Sequence, residues 1–386
     1  MSEQVLVIGA GPAGLASAYY LEQAGIPYRV VDRASVIAST WANLYPSLKL
    51  NTAGFVSHLP GRRMPLRYGI FPSGRQLYEY LVAYAEQHQF NIHLNVDVRR
   101  VTPHEGGWWV ETSEGDAVYP AVIIATGRFG NPYLPEIAGL ESFAGRALHA
   151  HDFHDPADFA GQRVLVVGNG PSGADIALAL APVAAAPTLL AIRSDMVLAR
   201  RYPFGLPETI WKMVIDPLPE VLRKPLTDRI IYQGYSGADK LGIRLAPNRV
   251  ERVGSSAPVR GPELMSAIRA GTVKPVAGLK RLDGTEAVLL DEGRHQVDAV
   301  ILCTGYRPVL NHLDLDYATD SDGWPLRVSE DSTEVAGAPG LHLVGRFYRG
   351  LGPLHNMRGE ARTAIGLIQR RLAANTPAPA SQTTTI

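Results

Sequence analysis

The chain contains 386 residues, of which 46% are hydrophobic and 19% are charged, and this is enough for two domains with substantial apolar cores. Its 37 basic residues balance 37 acidic ones, so the net charge favours neither nucleic acid nor an anionic membrane as a partner. The single cysteine, Cys303, excludes disulfides within the chain and also excludes a redox-active cysteine pair.

The start of the chain enters an apolar run at Val5 without a charged leader or a cleavage signal, which predicts the absence of a targeting segment. The longest uncharged stretch, Ile176–Ile192, contains Pro182 and Pro187. We interpret it as a helix end, a loop and a strand, because a membrane span needs a longer uninterrupted apolar helix. These features and the lone cysteine predict a cytoplasmic protein with no integral membrane segment. No metal site is predicted.

The chain contains two copies of a glycine pattern, and the first spans Gly9–Gly14. It follows a β-branched strand predicted at Val5–Ile8 and precedes a helix predicted at Leu15–Ala24. In such a loop the first glycine allows a tight turn, the second lets the backbone approach a pyrophosphate, and the third brings helix and strand together. The next strand ends at Asp32, where a carboxylate suits the ribose hydroxyls of FAD or NAD and repels a 2′-phosphate. The predicted contacts of this loop are Gly9, Gly11, Pro12, Ala13, Gly14, Asp32 and Arg33.

The chain between the two glycine patterns completes the first unit. Arg75–Gln89 has helical spacing, and Trp108–Thr112 with Ala117–Tyr119 is typical of a hairpin. A strand at Ala121–Ile124 then runs into Thr126-Gly127. Because nucleotides bind at the carboxyl edge of such sheets, Thr126 and Gly127 are predicted FAD contacts.

A second glycine pattern follows the strand Val164–Val167 and precedes a helix predicted at Ala174–Leu180. A later strand, Ala299–Leu302, runs into a second Thr-Gly pair. Two such units predict two dinucleotides, with electrons passing between them. The predicted contacts in the second unit are Gly168, Gly170, Pro171, Ser172, Gly173, Thr304, Gly305 and Tyr306.

The strand Thr188–Ile192 ends at Arg193-Ser194 rather than at a carboxylate, although Asp195 follows. A guanidinium there can pair with a 2′-phosphate, and a charge-assisted hydrogen bond contributes roughly 1.5–3 kcal/mol. We therefore predict NADPH as the second cofactor, with a preference over NADH of roughly ten- to hundredfold. Arg201, together with Arg200, either adds to this contact or belongs to a solvated basic turn.

The predicted fold class is α/β, with two Rossmann-like dinucleotide-binding domains. The FAD domain is discontinuous, at 1–155 and 300–372, and the NADPH domain is inserted at 156–299. A proline- and aromatic-rich segment at 196–254 is interpreted as a wall of the substrate channel, a homodimer surface or a membrane-contacting patch. Residues 373–386 are predicted to form a disordered tail.

A further pattern precedes the second glycine loop and consists of Phe143, Gly145, His149 and Phe153. With the stretches Ala38–Trp41, Leu48–Thr52 and Gly261–Leu264, it resembles the flavin-containing monooxygenases over residues 3 to 370. That family includes amine and sulfide oxygenases, plant auxin-forming enzymes and, more distantly, Baeyer–Villiger monooxygenases.

The resemblance implies that NADPH reduces FAD, that O2 adds to the reduced flavin as a C4a-hydroperoxide, and that this species oxygenates a small organic substrate. Asn51 resembles the family's active-site asparagine, and the alternative is a turn-forming residue. The resemblance also implies FAD contacts at Trp41, Leu50, Val98 and Gly345. The N-terminus of a helix predicted at Gly359–Leu372 would then face the flavin and stabilise negative charge on its reduced ring.

Departures from the family patterns bear on the reaction. Baeyer–Villiger members carry Trp where this chain has Phe153, and no counterpart of their active-site arginine stands out. The plant auxin-forming members have a different residue at Asn51. The leading hypothesis is therefore oxygenation at nitrogen or sulfur, with a carbonyl substrate or oxidative decarboxylation as the alternative. An NADPH oxidase or electron-donating flavoprotein remains a hypothesis of another class.

Overall fold

The computed structural model of the protein describes residues 4–45, 48–232, 235, 237–247, 258–346 and 350–375. The predicted α/β class is confirmed, since most strands lie in two parallel sheets flanked by helices. The strands in chain order are β1 Val5–Ile8, β2 Tyr28–Asp32, β3 Ile92–Leu94, β4 Val98–His104, β5 Gly107–Thr112, β6 Gly115–Tyr119, β7 Val122–Ile124, β8 Arg146–His149, β9 Val164–Val167, β10 Thr188–Ile192, β11 Leu198–Ala199, β12 Val259–Arg260, β13 Val273–Ala277, β14 Leu279–Asp283, β15 Glu286–Leu289, β16 Arg294–Gln296, β17 Ala299–Leu302 and β18 Leu341–Leu343.

The described α-helices vary from a single turn to 23 residues. They are α1 Pro12–Gln23, α2 Ser39–Ala42, α3 Gly74–His88, α4 Pro171–Leu180, α5 Glu208–Ile215, α6 Glu220–Thr227, α7 Gly261–Arg269 and α8 Pro353–Asn375. Short helical turns lie at Leu66–Tyr68, Ala150–Asp152, Pro156–Phe159, Pro203–Gly205, Asp228–Tyr232 and Asp239–Leu241. None of the helices in the described ranges is long and apolar enough to cross a bilayer.

The first sheet has the strand order β18-β7-β1-β2-β3, with every pair parallel. Helices α1, α3 and α8 pack on one face, through residues such as Leu15, Leu81 and Ile368. The antiparallel sheet β4-β5-β6 covers the other face with Trp108 and Val110. Because both faces are covered, β1 is apolar along its whole length rather than alternating.

The second sheet repeats this plan with the order β13-β10-β9-β17-β8, again wholly parallel. Helices α4 and α7 pack on one face through residues such as Ile176 and Leu264. The antiparallel sheet β14-β15-β16 covers the other face with Leu282 and Ala287. The two sheets therefore have equivalent architectures, as the paired glycine patterns predict.

The predicted domain ranges need correction at two strands. Both β8 and the greater part of β17 lie within ranges predicted for the first domain, yet both pair in the second sheet. Gly145 explains the entry of β8, because a Cβ there would lie 2.3 Å from the carbonyl oxygen of Asp298, just ahead of β17. Only glycine allows this approach. Strand partners such as these are tertiary contacts, so local sequence patterns do not reveal them.

The C-terminal helix also differs from its prediction. It begins at Pro353 rather than Gly359 and continues through residues 373–375, which the composition assigns to the tail. Proline is favoured in the first turn because no intrahelical bond requires its missing N–H, and glycine inside the helix is tolerated at Gly359. The rest of the predicted tail, 376–386, lies outside the described residues.

The chain segments that leave the two Thr-Gly turns pair with each other. The Thr126 hydroxyl donates to the carbonyl oxygen of Val309 at 2.7 Å, and the Thr304 hydroxyl donates to that of Tyr133 at 2.5 Å. The backbone N–H of Arg307 donates to the carbonyl oxygen of Asn131 at 2.9 Å. These reciprocal bonds join the two units where the carboxyl edges of their parallel sheets meet.

Candidate active site

A cleft of about 970 Å³ lies between the two parallel sheets, at the carboxyl ends of their strands. Both glycine loops, both Thr-Gly turns and the start of α8 line it. This is the edge at which open α/β sheets bind ligands.

The first glycine loop has the close contacts that its three glycines predict. Gly9 has φ +109°, and a Cβ there would lie 2.5 Å from the carbonyl oxygen of Ala125. A Cβ on Gly14 would lie 1.9 Å from the carbonyl oxygen of Gly9. Gly11 faces open space in the cleft, so its backbone is free to approach a pyrophosphate.

The second loop reproduces this geometry. Gly168 has φ +127°, and a Cβ there would lie 2.3 Å from the carbonyl oxygen of Cys303. A Cβ on Gly173 would lie 1.9 Å from the carbonyl oxygen of Gly168, while Gly170 is open to the cleft. Gly14 and Gly173 do not themselves line the cleft, and each acts by packing its helix onto its loop.

Asp32 reaches the cleft from the end of β2. Its carboxylate accepts hydrogen bonds from the backbone N–H groups of Ala10 at 2.7 Å and Ala34 at 2.9 Å. These bonds fix the carboxylate beside the first loop, and each oxygen retains a lone pair for a ribose hydroxyl. The other predicted FAD contacts that line the cleft are Gly9, Gly11, Pro12, Ala13, Arg33, Trp41, Leu50, Val98, Thr126, Gly127 and Gly345.

Gly345 is held against the first loop by the last helix. It has φ +98°, and a Cβ there would lie 3.1 Å from the Ala13 Cβ. Its backbone N–H donates to Glu360 on α8 at 2.7 Å, and Glu360 pairs with buried Arg327 at 2.7 Å. The first turn of α8 also lines the cleft, so the positive end of the helix dipole lies there even though the helix begins earlier than predicted.

Arg193 and Ser194 are exposed at the end of β10 and line the same cleft. The Asn169 side chain donates to the carbonyl oxygen of Ser194 at 2.8 Å, which ties this strand end to the second loop. Arg201 is not among the residues that line the cleft. Its guanidinium lies 5.1 Å from the centre of the Phe71 ring, so the structure does not support its predicted role as an NADPH contact. The chain leaves the strand end through β11 before it reaches Arg201.

The motif histidine supports the second Thr-Gly turn. His149 is buried, its Nε2 donates to the carbonyl oxygen of Gly305 at 3.1 Å, and its Nδ1 accepts from the His151 N–H at 3.0 Å. This bonding requires a neutral ring, and burial lowers the pKa of His149. The His149 and Tyr306 rings are nearly perpendicular, and their centres lie 5.0 Å apart. Thr304, Gly305, Tyr306 and His149 all line the cleft.

The other motif residues have packing roles and do not line the cleft. Phe143 lies under Gly145, where a Cβ would meet its ring at 2.6 Å. Phe153 is buried, stacks on Phe159 at 5.7 Å and meets the edge of Tyr45 at 6.1 Å. The motif thus secures the entry of β8 into the second sheet.

Asn51 lies in the cleft wall beside a buried ionic cluster formed by Arg260, Glu208 and Lys212. No sequence motif identified this cluster. Arg260 is 7% exposed, donates from Nε to Asn51 Oδ1 at 3.0 Å, and also bonds the Asn51 carbonyl oxygen and Glu208. Lys212 pairs with Glu208 at 2.6 Å. Burial by itself raises the pKa of Glu208, but Lys212 and Arg260 outweigh that effect and lower it. The only available signal was the position of Arg260 directly before the family-like stretch Gly261–Leu264.

A second unpredicted group is Asp175, on the cleft side of α4. Burial raises its pKa to about 6, although Arg201, Arg260 and a hydrogen bond from Tyr45 favour its charged form. Helical spacing predicts the helix here, but an acidic residue within an apolar run does not by itself indicate a role.

The segment at 196–254 contributes directly to the cleft. Glu208, Thr209 and Lys212 on α5 line it, whereas Met213 and Val214 on the same helix are 49% and 62% exposed. This geometry supports the channel-wall interpretation for α5. The homodimer and membrane-patch interpretations remain predictions, and residues 233–234, 236 and 248–254 lie outside the described residues.

The two loops fit two dinucleotides. Each has an open second glycine, a third glycine packed on the first, and a helix that begins directly afterwards. FAD would be held by the first loop with Asp32 and Gly345, and NADPH by the second loop with Arg193 and the Thr304–Tyr306 turn.

The chain is similar to known proteins over most of its length. A profile of the pyridine nucleotide-disulphide oxidoreductase family matches residues 6–197. The protein of Arabidopsis thaliana named "Probable indole-3-pyruvate monooxygenase YUCCA8" is 31% identical over 368 residues, which cover 90% of this chain and 84% of that protein. An indole-3-pyruvate monooxygenase of Oryza sativa subsp. indica is 31% identical over 365 residues, covering 90% and 86%.

A solved structure is similar along almost the whole chain. The flavin-containing monooxygenase from Stenotrophomonas maltophilia superimposes with a TM-score of 0.71 and 27% identity. The match covers 97% of this chain and 99% of that protein, so the repeated sheets and the cleft between them belong to a shared architecture.

Proposed function

Because the chain belongs to the flavin-containing monooxygenase family, we propose that it uses NADPH and O2 to transfer one oxygen atom to a small organic substrate. Its cofactors are FAD and NADPH, the pair that the family uses. The observation that carries the proposal is the cleft shared by two glycine loops of matching geometry. Bound FAD supplies hydride acceptance and oxygen activation.

The chain's own residues have three tasks in this proposal. The glycine loops and helix N-termini hold the two pyrophosphates, and Asp32 and Arg193 distinguish the two riboses. Asn51 presents a polar side chain in the cleft wall near the ionic cluster. The apolar Trp41, Leu50 and Leu351 exclude water from neighbouring parts of the cleft.

For the substrate, we propose a soft nitrogen or sulfur nucleophile as the first candidate. The support comes from the position of Phe153, where Baeyer–Villiger enzymes carry Trp, and from Asn51, which differs from the plant auxin-forming pattern. Arg260 also lines the cleft, and three of its five N–H groups bond Asn51 or Glu208.

A carbonyl substrate is the second candidate, with a 2-oxo acid that is oxidatively decarboxylated as its main form. One observation favours it: the relatives at about 30% identity are named for activity on indole-3-pyruvate.

A product screen tests the two candidates together. The purified protein with FAD is supplied with NADPH and air, and separate panels of amines, sulfides, ketones and 2-oxo acids are examined by mass spectrometry under ¹⁸O2. A product two mass units heavier than in ¹⁶O2 identifies the oxygenated class. Stoichiometric hydrogen peroxide and unchanged substrates in every panel would contradict the monooxygenase proposal and favour an NADPH oxidase. A homodimer remains a prediction that mass measurement in solution decides.

A further inference from the structure

The arrangement around Asn51 assigns a direction to its side-chain amide. Arg260 Nε lies 3.0 Å from the atom placed as Oδ1, and a guanidinium can only donate hydrogen bonds. The amide oxygen must therefore face Arg260, and the amide nitrogen must face the other way. Asn51 lines the cleft, and none of the described protein groups accepts a hydrogen bond from its Nδ2. The cleft thus receives a donor rather than an acceptor.

Arg260 is itself held rigidly. It is the last residue of β12 and directly precedes α7, and its side chain is 7% exposed. One nitrogen bonds Glu208, whose side chain is 4% exposed, and another bonds the Asn51 carbonyl oxygen. Glu208 lies in the first turn of α5, where the helix dipole stabilises a carboxylate. A planar guanidinium that donates to three fixed oxygen atoms has little freedom to rotate.

Helix α5 also holds the residues that follow Asn51. The backbone N–H of Ala53 donates to the Thr209 hydroxyl at 3.2 Å. The loop is therefore anchored at its side chain, its carbonyl group and a following amide, all by groups from the second half of the chain.

We propose that Arg260 is the positioning residue of Asn51: with Glu208 behind it, it turns the Asn51 amide so that Nδ2 donates a hydrogen bond into the cleft. The inference rests on the proposed function for its catalytic meaning. A lysine or an aliphatic residue at 260 would leave the amide free to rotate and to present its oxygen instead.

The test combines variants of both residues, each reconstituted with FAD. Arg260→Met removes the clamp, Asn51→Ala removes the amide, and Asn51→Asp keeps the acceptor for Arg260 but loses the donor. Arg269→Met, on the exposed side of the adjoining helix α7, is the matched control. The first readout is the rate constant of hydrogen peroxide release with NADPH and O2 alone, divided by the rate constant of flavin reduction measured separately without O2.

We expect each of the three variants to raise this ratio about three- to tenfold, the factor that corresponds to one lost hydrogen bond. The double variant Arg260→Met/Asn51→Ala should match Asn51→Ala, because a residue that acts only through Asn51 has no effect once the amide is gone. Multiplying effects, or an Arg260→Met ratio equal to that of Arg269→Met, would overturn the proposal. An effect of Asn51→Ala without one of Asn51→Asp would overturn the donor orientation.

A second readout is independent of catalysis. Hydrogen exchange in the FAD-loaded protein without NADPH should be faster at the amides of residues 51–53 in Arg260→Met and unchanged in Arg269→Met. Unchanged exchange in both variants would overturn the clamp. If Arg260→Met does not fold, Arg260→Lys replaces it in both measurements, since it retains the charge opposite Glu208. The isotope screen separately decides whether the wild-type protein is a monooxygenase, so failure there is distinguishable from failure of the clamp.

Discussion

Asp32 and Arg193 stand at equivalent positions in the two repeated units, yet they carry opposite charges. Each follows the second strand of its unit and lines the common cleft. Asp32 is fixed by two backbone N–H groups, whereas Arg193 is exposed at its strand end. We propose that this difference makes the two similar loops selective for different riboses.

Arg193→Ala tests this difference. We expect the NADPH concentration for half-maximal flavin reduction to rise roughly ten- to hundredfold, because the 2′-phosphate loses a charge-assisted hydrogen bond. The value for NADH should change less than about twofold. Stopped-flow flavin reduction measures both, with Arg269→Ala as an exposed control outside the cleft. Equal losses for the two nucleotides would contradict the 2′-phosphate assignment.

We expect buried Asp175 to make the stability of the fold depend on pH. Burial raises its pKa to about 6 in the folded protein, so the folded state binds more protons than the unfolded state between about pH 4 and 6. Stability contributed by the neutral acid is lost as the pH rises through this window. Asp175→Asn should therefore raise Tm by about 2–4 °C at pH 8 and leave it unchanged at pH 4.

Thermal unfolding followed by circular dichroism at the two pH values checks the Asp175 prediction. Asp116→Asn, an exposed replacement of the same kind, should change neither Tm. A lower Tm for Asp175→Asn at pH 8 would show that the charged carboxylate stabilises the fold.

At the scale of elements, the two strand–loop–helix units repeat each other in detail. In both, a Cβ on the third glycine would lie only 1.9 Å from the carbonyl oxygen of the first glycine. Both helices begin with proline directly after the second glycine. The two loops therefore have the same backbone geometry. We expect a substitution in one loop to weaken binding of the cofactor at that loop only.

Gly14→Ala and Gly173→Ala test this independence. A Cβ at either position must displace its loop, because the atom that it meets is backbone. We expect Gly14→Ala to purify with less than about a tenth of the normal FAD, and Gly173→Ala to retain FAD but require at least about ten times more NADPH. The visible flavin spectrum and NADPH titration measure these losses.

Gly366→Ala in α8 serves as the control for the glycine pair, since a Cβ there meets no atom within 4 Å. It should keep both properties. Loss of FAD from Gly173→Ala would argue against separate cofactor loops.

At the scale of the whole molecule, we expect buried histidines to make the fold sensitive to acid. Burial lowers the pKa of His312 to about 4 and, with Arg371 and Arg327 nearby, that of His342 to about 3. The unfolded chain binds these protons near pH 6.5, so stability is present above that pH and is lost as the pH falls towards 4. His342 lies in β18 of the first sheet, and His312 lines the cleft.

His342→Gln should reduce the acid sensitivity. Its Tm difference between pH 7 and pH 4.5 should be roughly 5 °C smaller than in the wild-type protein, although its Tm at pH 7 will be lower because packing is disturbed. Exposed His104→Gln should keep the wild-type difference. An unchanged pH difference in His342→Gln would contradict the assignment.

The sequence by itself determined the two glycine loops, the strands before them, and the positions of Asp32 and Arg193 at the ends of β2 and β10. Each of these features depends on local backbone geometry and on residue spacing along one element. It also predicted the hairpin of Trp108–Thr112 with Ala117–Tyr119 from its alternating pattern, and the α/β class from the two repeated strand–loop–helix units. The start of α8, the second-sheet membership of β8 and β17, and the Arg260–Glu208–Lys212 cluster were decided only by tertiary structure. These features join residues far apart in the chain, and charged side chains reveal their partners only when folding removes them from water.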